Sequence, residues 1–382
     1  WIPSTLHAIR GRHEERTLQP LPSTGPYATV GGRRMLNLAS NDYLGLARHP
    51  DLARAADAAA RQVGTGATAS RLVTGDLALH HELERELAYL KQCPAALLFG
   101  SGYLTSIGVV PALVGRHDLV LADRLAHACL LDGARLSGAQ LRRFRHNDLQ
   151  HAADLLAQRP AGRRCLIVTE SVFSMDGDLA PLSGLARLAA DHDAMLLVDE
   201  AHATGVFGPS GGGLTCAPDV RPHVTIAMGT LSKALGGYGG YAAGTETLCA
   251  LLLNRARSFV FSTALPPTVV APALAALRLL RDDPGLGARL LAKAAHVRAR
   301  LRAAGLDTLQ SESQIVPVLL GSNERTTEIA ARLHRQGILV GAIRPPTVPP
   351  GTARLRLSIS AAHAEDDLTR AADAIIHAIR EP

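Results

Sequence analysis

Between Ala95 and Met228 five short apolar runs alternate with stretches of helical periodicity: Ala96–Phe99, Leu119–Ala122, Leu166–Thr169, Met195–Val198 and Val224–Met228. A run this short, bounded by turn residues, suits a strand buried on both faces. Strands separated by helical segments pair in parallel and are covered by the helices that connect them. The rhythm predicts an α/β fold with a mostly parallel central sheet. Reactive groups in such sheets gather in the loops that follow the carboxyl ends of strands.

Outside this block the pattern changes. The first 45 residues are irregular and rich in Pro and Gly, with a hairpin expected over Thr29–Leu38 around Gly31-Gly32. A helix is expected over Leu52–Val63, then a Gly/Thr/Ser loop to Arg71. Leu79, Leu83, Leu87 and Leu90 mark one face of a further helix, with Glu82, Glu86 and Lys91 outside. Pro266-Pro267 closes the α/β block. Helices are expected over Thr268–Arg281 and Gly287–Ala304, and then Ile315–Leu320, a helix to Gln336, Ile338–Val340 and Arg354–Ile359. In the last, Leu355, Leu357 and Ile359 alternate with Arg354, Arg356 and Ser358, which reads as a half-buried strand. The expected division is an N-terminal segment 1–50, a large domain 51–267 and a smaller α+β domain 268–382.

Composition narrows the function. Forty Lys+Arg against 34 Asp+Glu give +6, without a block of like charge, and only 3% of residues are aromatic. A nucleic-acid binder would need a basic arm or a stacking set. No run of about 18 apolar residues spans a membrane, and no secretory signal is read. Cys93, Cys129, Cys165, Cys216 and Cys249 are odd in number, more than 30 residues apart and without a C-x-x-C pair. That argues against zinc or a disulfide framework and for a reducing cytoplasm. Only Lys91, Lys233 and Lys293 are lysines, so each can be asked why it is not Arg. Lys91 and Lys293 read as solvated.

The strand ends carry the chemistry. Asp199-Glu200-Ala201-His202 follows one strand, and Gly229-Thr230-Leu231-Ser232-Lys233 with a glycine-rich stretch follows another. Glu170 to Asp178, Gly100-Ser101-Gly102-Tyr103 and His127 follow three more. Gly100-Ser-Gly opening a helix offers free N–H groups and a positive dipole end to a phosphate, with Thr230 and Ser232 adding hydroxyls. A lysine beside a phosphate site, with an Asp on another strand, suits pyridoxal phosphate (PLP): the lysine attaches the cofactor and the Asp keeps its ring nitrogen protonated. Taken singly, Asp199 is an ordinary cap, His127 an ordinary histidine and Lys233 a surface lysine. Their combination and order carry the reading. Two motifs mislead. Asp199-Glu-Ala-His202 spells a helicase motif, but no G-x-x-x-x-G-K-[ST] accompanies it. Gly208-Pro-Ser-Gly-Gly212 matches G-x-S-x-G without the strand and helix a nucleophile elbow needs, so Ser210 is a turn residue. No metal is expected, because neighbouring residues such as Asp199 and Glu200 diverge and no ligand cluster accompanies them.

Asp199-Glu-Ala-His-Ala-Thr-Gly205, Gly229-Thr-Leu-Ser-Lys-Ala-Leu-Gly-Gly237, Ser40-Asn-Asp-Tyr-Leu-Gly-Leu46, Ser70-Arg-Leu-Val-Thr-Gly75 and Glu170-Ser-Val-Phe-Ser-Met-Asp-Gly-Asp178 together resemble the α-oxoamine synthases. These are PLP enzymes of the type I aminotransferase fold, and the likeness runs from about residue 35 to the C-terminus. Ile343-Arg-Pro-Pro-Thr-Val-Pro349 with Gly351-Thr-Ala-Arg-Leu-Arg356 is most similar to the branch that condenses L-alanine with a pimeloyl thioester, on CoA or a carrier protein, in biotin synthesis. Another member, such as one joining glycine to acetyl-CoA, is the alternative. The resemblance implies that Lys233 carries PLP and moves the α-proton, that Asp199 pairs with the pyridine nitrogen and His202 with the ring hydroxyl, and that His127 stacks on the ring. It places Ser101, Gly102, Tyr103 and Thr230 around the phosphate or ring edge, and Thr263 at the phosphate of the other subunit of a homodimer. Glu170 and Ser174 would line the site. Arg344 would hold the amino-acid carboxylate with Asn41. Ser70 and Thr347 would lie near the acyl donor, and Arg16 would be the N-terminal arginine by the acyl group.

Overall fold

The computed structural model describes every residue except 13, 17, 19, 22–24 and 382. The chain forms two compact units. One comprises Leu46–Phe173 and Leu179–Ala288; the other comprises Trp1–Gly45, Ser174–Asp178 and Arg289–Pro382.

The larger unit is built on a seven-stranded sheet. Its order is Ala95–Phe99, Gly240–Gly244, Ile226–Thr230, Met195–Asp199, Cys165–Glu170, Leu119–Asp123 and Gln140–Phe144. Only Gly240–Gly244 runs antiparallel to its neighbours. Alternation within a strand feeds two cores. Leu166 and Val168 join Val109, Leu130 and Phe259 on one face, while Cys165 and Ile167 join Leu156, Leu185 and Val220 on the other. Burial on both faces is why these strands read as continuous apolar runs. The five anticipated strands are present, the last shifted to Ile226–Thr230.

Two strands are additional. Gln140–Phe144 is an edge strand of mixed exposure containing two arginines, and Gly240–Gly244 is fully buried yet made of Gly, Ala and Tyr. Gly240 accommodates close packing: a Cβ there would lie 2.4 Å from the Ser101 carbonyl carbon.

The smaller unit contains the hairpin Tyr27–Val30/Arg33–Asn37, turned through Gly31 and Gly32 at φ 57° and 77°, values that suit a two-residue hairpin turn. Ile338–Leu339 adds in parallel. A second sheet has the order Ile315–Gly321, Ala353–Ser358, Gly341–Ile343. Helices Asn323–Arg335 and Glu365–Arg380 belong to this unit.

The units divide after Gly45 and after Ala288, not at 50 and 267, and the N-terminal residues join the C-terminal part. Helix Pro267–Asp282 buries Val270, Leu274 and Leu277 and packs on helices Pro50–Gln62 and Ala78–Leu90 of the larger unit. Strand Ala353–Ser358 is buried throughout, not half-buried. Its arginines are matched: Arg354 pairs with Asp176, and Arg356 donates to the Ser174 carbonyl (2.6 Å), Asn41 Oδ1 (3.1 Å) and Ser358 Oγ (2.7 Å). Neither lysine read as solvated is so. Lys91 is 1% exposed and pairs with Glu200. Lys293 donates to the carbonyls of Ala361 and His363, both at 2.7 Å. No helix among the described residues is long and apolar enough to cross a membrane. All five cysteines are free thiols.

Candidate active site

Six of the seven strands are parallel, so the ends of Ala95–Phe99, Leu119–Asp123, Cys165–Glu170, Met195–Asp199 and Ile226–Thr230 lie along one edge of the sheet. Lys233 follows Ile226–Thr230 in a tight loop closed by bonds from the Leu231 N–H to the Gly239 carbonyl (3.0 Å) and from the Gly237 N–H to the Leu231 carbonyl (2.9 Å). Gly236, at φ +64°, passes the backbone so closely that a Cβ would lie 2.6 Å from Ala47 N. The loop returns the chain into Gly240–Gly244, and Lys233 Nζ lies 2.8 Å from His202 Nε2.

His202 and Asp199 are both buried at the end of the neighbouring strand. Asp199 Oδ1 accepts the Ala201 N–H (2.8 Å). Burial pushes the Asp199 carboxyl up, against the opposing field of Lys233. A carboxylate kept this dry gains strongly from a cation placed against it. Glu170, also buried, lies beside Asp199 in register.

His127 caps helix Ala128–Ser137. The Cys129 N–H donates to its Nδ1 (3.2 Å), and the Cys129 thiol lies 3.0 Å from the same nitrogen. Nδ1 is therefore an acceptor and the ring proton sits on Nε2. Burial also pushes the imidazole down, favouring the neutral form.

Ser101 caps helix Gly102–Leu113, its Oγ accepting the Leu104 N–H (3.1 Å). The first bond to the cap carbonyl comes from the Thr105 N–H, which leaves the Gly102 and Tyr103 N–H groups ahead of the helix ladder, as in an anion site. A Cβ on Gly102 would lie 3.4 Å from Thr230 Cβ, so helix start and strand end meet. Thr230 Oγ1 is 2.8 Å from Ser232 Oγ. The Tyr103 side chain leaves this cradle: it is exposed and its hydroxyl donates to Asp132 (2.7 Å).

The fold thus gathers Ser101, Gly102, His127, Glu170, Asp199, His202, Thr230 and Lys233 at one edge. Ser70 and Thr263 lie in adjoining loops, joined where the Ala264 N–H meets the Ala69 carbonyl (3.0 Å). In the smaller unit, Asn41 and Ser174 meet at Arg356. Arg344 and Thr347 share one turn, the Thr347 N–H donating to the Arg344 carbonyl (3.1 Å). Arg16 is exposed, on an irregular stretch. Arg356 is buried beside Asn41 and Ser174, although its alternation with Leu355 and Leu357 reads as the exposed side of a strand.

Residues 33–375 match the family model for aminotransferase class I and II. The chain belongs to that family. An 8-amino-7-oxononanoate synthase of Anaeromyxobacter dehalogenans is 52% identical over 95% of this chain and 91% of its own length. That of Geobacter sulfurreducens is 48% identical over 98% and 96%. Among solved structures, a Sphingomonas wittichii serine palmitoyltransferase superimposes with a TM-score of 0.93 at 30% identity, covering 99% of this chain and 96% of that one. The 8-amino-7-oxononanoate synthase of Francisella tularensis gives 0.78 at 28% identity, covering 90% and 97%. The class I and II aminotransferase fold is the type I PLP architecture that the resemblance to the α-oxoamine synthases implies.

Of the two solved structures, the palmitoyltransferase superimposes better at similar identity, whereas the two curated oxononanoate synthases are 48–52% identical to this chain. Superposition follows the path of the main chain, whereas substrate choice lies in side chains, so identity is the better guide to substrate.

Proposed function

We propose that this enzyme uses PLP to condense L-alanine with a pimeloyl thioester, on CoA or a carrier protein, giving 8-amino-7-oxononanoate, CO2 and free thiol for biotin biosynthesis. The observation that carries the reading is about 50% identity to 8-amino-7-oxononanoate synthases over nearly the whole chain. The site supports it, because its donor set fits PLP: a helix start pressed against Thr230 for a phosphate, a dry carboxylate for a cationic ring nitrogen, and a lysine amine beside an imidazole.

When bound, PLP supplies an electron sink for the charge left at the α-carbon of the amino acid. Lys233 holds the cofactor and then takes and returns the α-proton at its Nζ. Asp199 keeps the proton on the pyridine nitrogen, and His202 meets the ring hydroxyl. His127, neutral and fixed through Cys129, would lie against the ring and exclude water. Ser101, the Gly102 and Tyr103 amides and Thr230 would hold the phosphate, and Glu170 and Ser174 are the further residues proposed for the site. Arg344 and Asn41 hold the substrate carboxylate. Arg356, bonded to Asn41, either shares that task or fixes Asn41 for it. A charged hydrogen bond of this kind is worth roughly 1.5–3 kcal/mol, enough to orient the carboxylate that is later lost. Ser70, Thr347 and Arg16 serve the acyl donor.

Thr263 would reach the phosphate held by a second subunit, which makes the proposed working form a homodimer. The exposed apolar residues Phe261 (71%) and Val73 (74%), near Thr263 and Ser70 in the chain, support this.

Thiol release by PLP-loaded protein tests the reading, with L-alanine, glycine and L-serine each paired with pimeloyl-CoA, acetyl-CoA and palmitoyl-CoA. Fastest release with alanine and pimeloyl-CoA is expected. Release confined to serine and palmitoyl-CoA, or to glycine and acetyl-CoA, would move the enzyme to another branch of the family.

A further inference from the structure

Lys91 is one of three lysines in the chain and has no part in the chemistry above. It ends helix Ala78–Leu90, and its side chain is wholly buried. Its ammonium donates to the Glu200 carboxylate and to the Gly212 carbonyl. Glu200 is also buried and receives two further donors, the Thr215 N–H (3.0 Å) and the Thr215 hydroxyl (2.5 Å). The seat is shaped for this carboxylate: a Cβ on Gly213, at φ +96°, would lie 2.2 Å from Glu200 Oε2.

Glu200 sits between Asp199 and His202 in sequence. Its N–H donates to the Met228 carbonyl (2.7 Å), which ties the end of one site-bearing strand to the next. Its own carbonyl accepts the N–H groups of Ala203 (3.0 Å) and Thr204 (2.8 Å), and the Thr204 hydroxyl (3.0 Å). Thr204 Oγ1 in turn lies 2.7 Å from the Tyr241 hydroxyl. The Glu200 backbone thus organises the turn containing His202, while its side chain anchors that turn to Lys91. Burial alone would discharge the Lys91 amine, but Glu200, with Tyr241 and Cys216 beside it, more than offsets this and the group stays protonated.

We propose that Lys91 is a positioning residue: through Glu200 and Thr215 it fixes the Asp199–Thr204 turn, and so sets where Asp199 and His202 stand relative to Lys233. A buried ion pair need not add net stability, since apolar replacements often serve as well, but it can specify one geometry. Here the geometry specified is the Lys233–His202 contact and the field that Asp199 and His127 place around the Lys233 amine.

The inference rests on the PLP reading, so the test separates the two. Lys91→Met alone strands a buried carboxylate, so the informative variant is Lys91→Met with Glu200→Gln, which removes both charges. Three quantities are read: the pH midpoint of the visible absorption of bound PLP, the PLP dissociation constant by fluorescence titration, and kcat against KM for alanine. The double variant should move the midpoint by roughly half a pH unit or more and weaken PLP binding about tenfold. It should lower kcat about tenfold with KM within about threefold. If that variant does not fold, Thr215→Val decides: it removes one donor to Glu200, leaves the ion pair, and should move the same midpoint in the same direction by less. A folded variant with the parent's midpoint and PLP affinity overturns the inference alone. A parent that takes up no PLP overturns the functional reading and this inference with it.

Discussion

Replacing Lys91 by Met should destabilise the larger unit far more than removing both members of its ion pair. Lys91→Met deletes the only cation bonded to Glu200 among the described residues and leaves the carboxylate buried, with only the two Thr215 donors. Removing one partner of a buried pair costs about 3–5 kcal/mol. A domain of this size loses roughly 2–4 °C of melting temperature per kcal/mol, so the single variant should melt about 6–20 °C below the parent. Lys91→Met with Glu200→Gln leaves no lone charge and should recover much of that loss, because neutral replacements of buried pairs are often tolerated. Thermal denaturation followed by circular dichroism at saturating PLP compares the three proteins. Added salt should barely change the differences, since buried charges are screened little. A single variant melting within about 2 °C of the parent, or a double variant melting as low as the single, would refute the reasoning.

Lys233→Ala should lose both lysine-linked PLP absorption and turnover; appreciable turnover would contradict its place at the reacting carbon. Asp199→Asn should retain PLP but slow exchange of the alanine α-proton with solvent deuterium, and exchange at the parent rate would exclude its role at the ring nitrogen. Arg344→Ala should lower kcat/KM for alanine by about 10–100-fold; if only Arg356→Ala does so in steady-state assays, the carboxylate belongs to Arg356. His363 is buried, and desolvation lowers its imidazole from 6.5 to about 4. The unfolded chain therefore takes up a proton before the folded one does. Stability from this residue is complete above about pH 6.5 and declines as pH falls toward about 4, by at most roughly 3 kcal/mol. In melting-temperature profiles over that window His363→Gln should fall less steeply than the parent, and parallel profiles would rule out His363 as the source.

Much of the larger unit was legible because its strands are continuous apolar runs and its helices are periodic. Gln140–Phe144 was not: an edge strand buries little, so its arginines look like a loop. Gly240–Gly244 was hidden for the opposite reason. It is buried but has no β-branched residue, and the start of helix Gly102–Leu113 passes so close to Gly240 that a Cβ there has no room. At the site, the order of Asp199, His202, Thr230 and Lys233 along the chain was enough to suggest PLP. In the smaller unit the burial of Arg356 was not legible, since alternation along the strand marks it as solvent-facing.

The sequence by itself determined what is encoded locally: apolar period, turn glycines, helix starts and the kinds of reactive group that follow each strand. Tertiary structure alone decided which charges are buried. Lys91 and Glu200 are 109 residues apart, and Arg356 and Asn41 are 315 apart. A charged side chain enters a core only when a partner is already held there. That partner is supplied by chain topology, and no local pattern around either residue contains it.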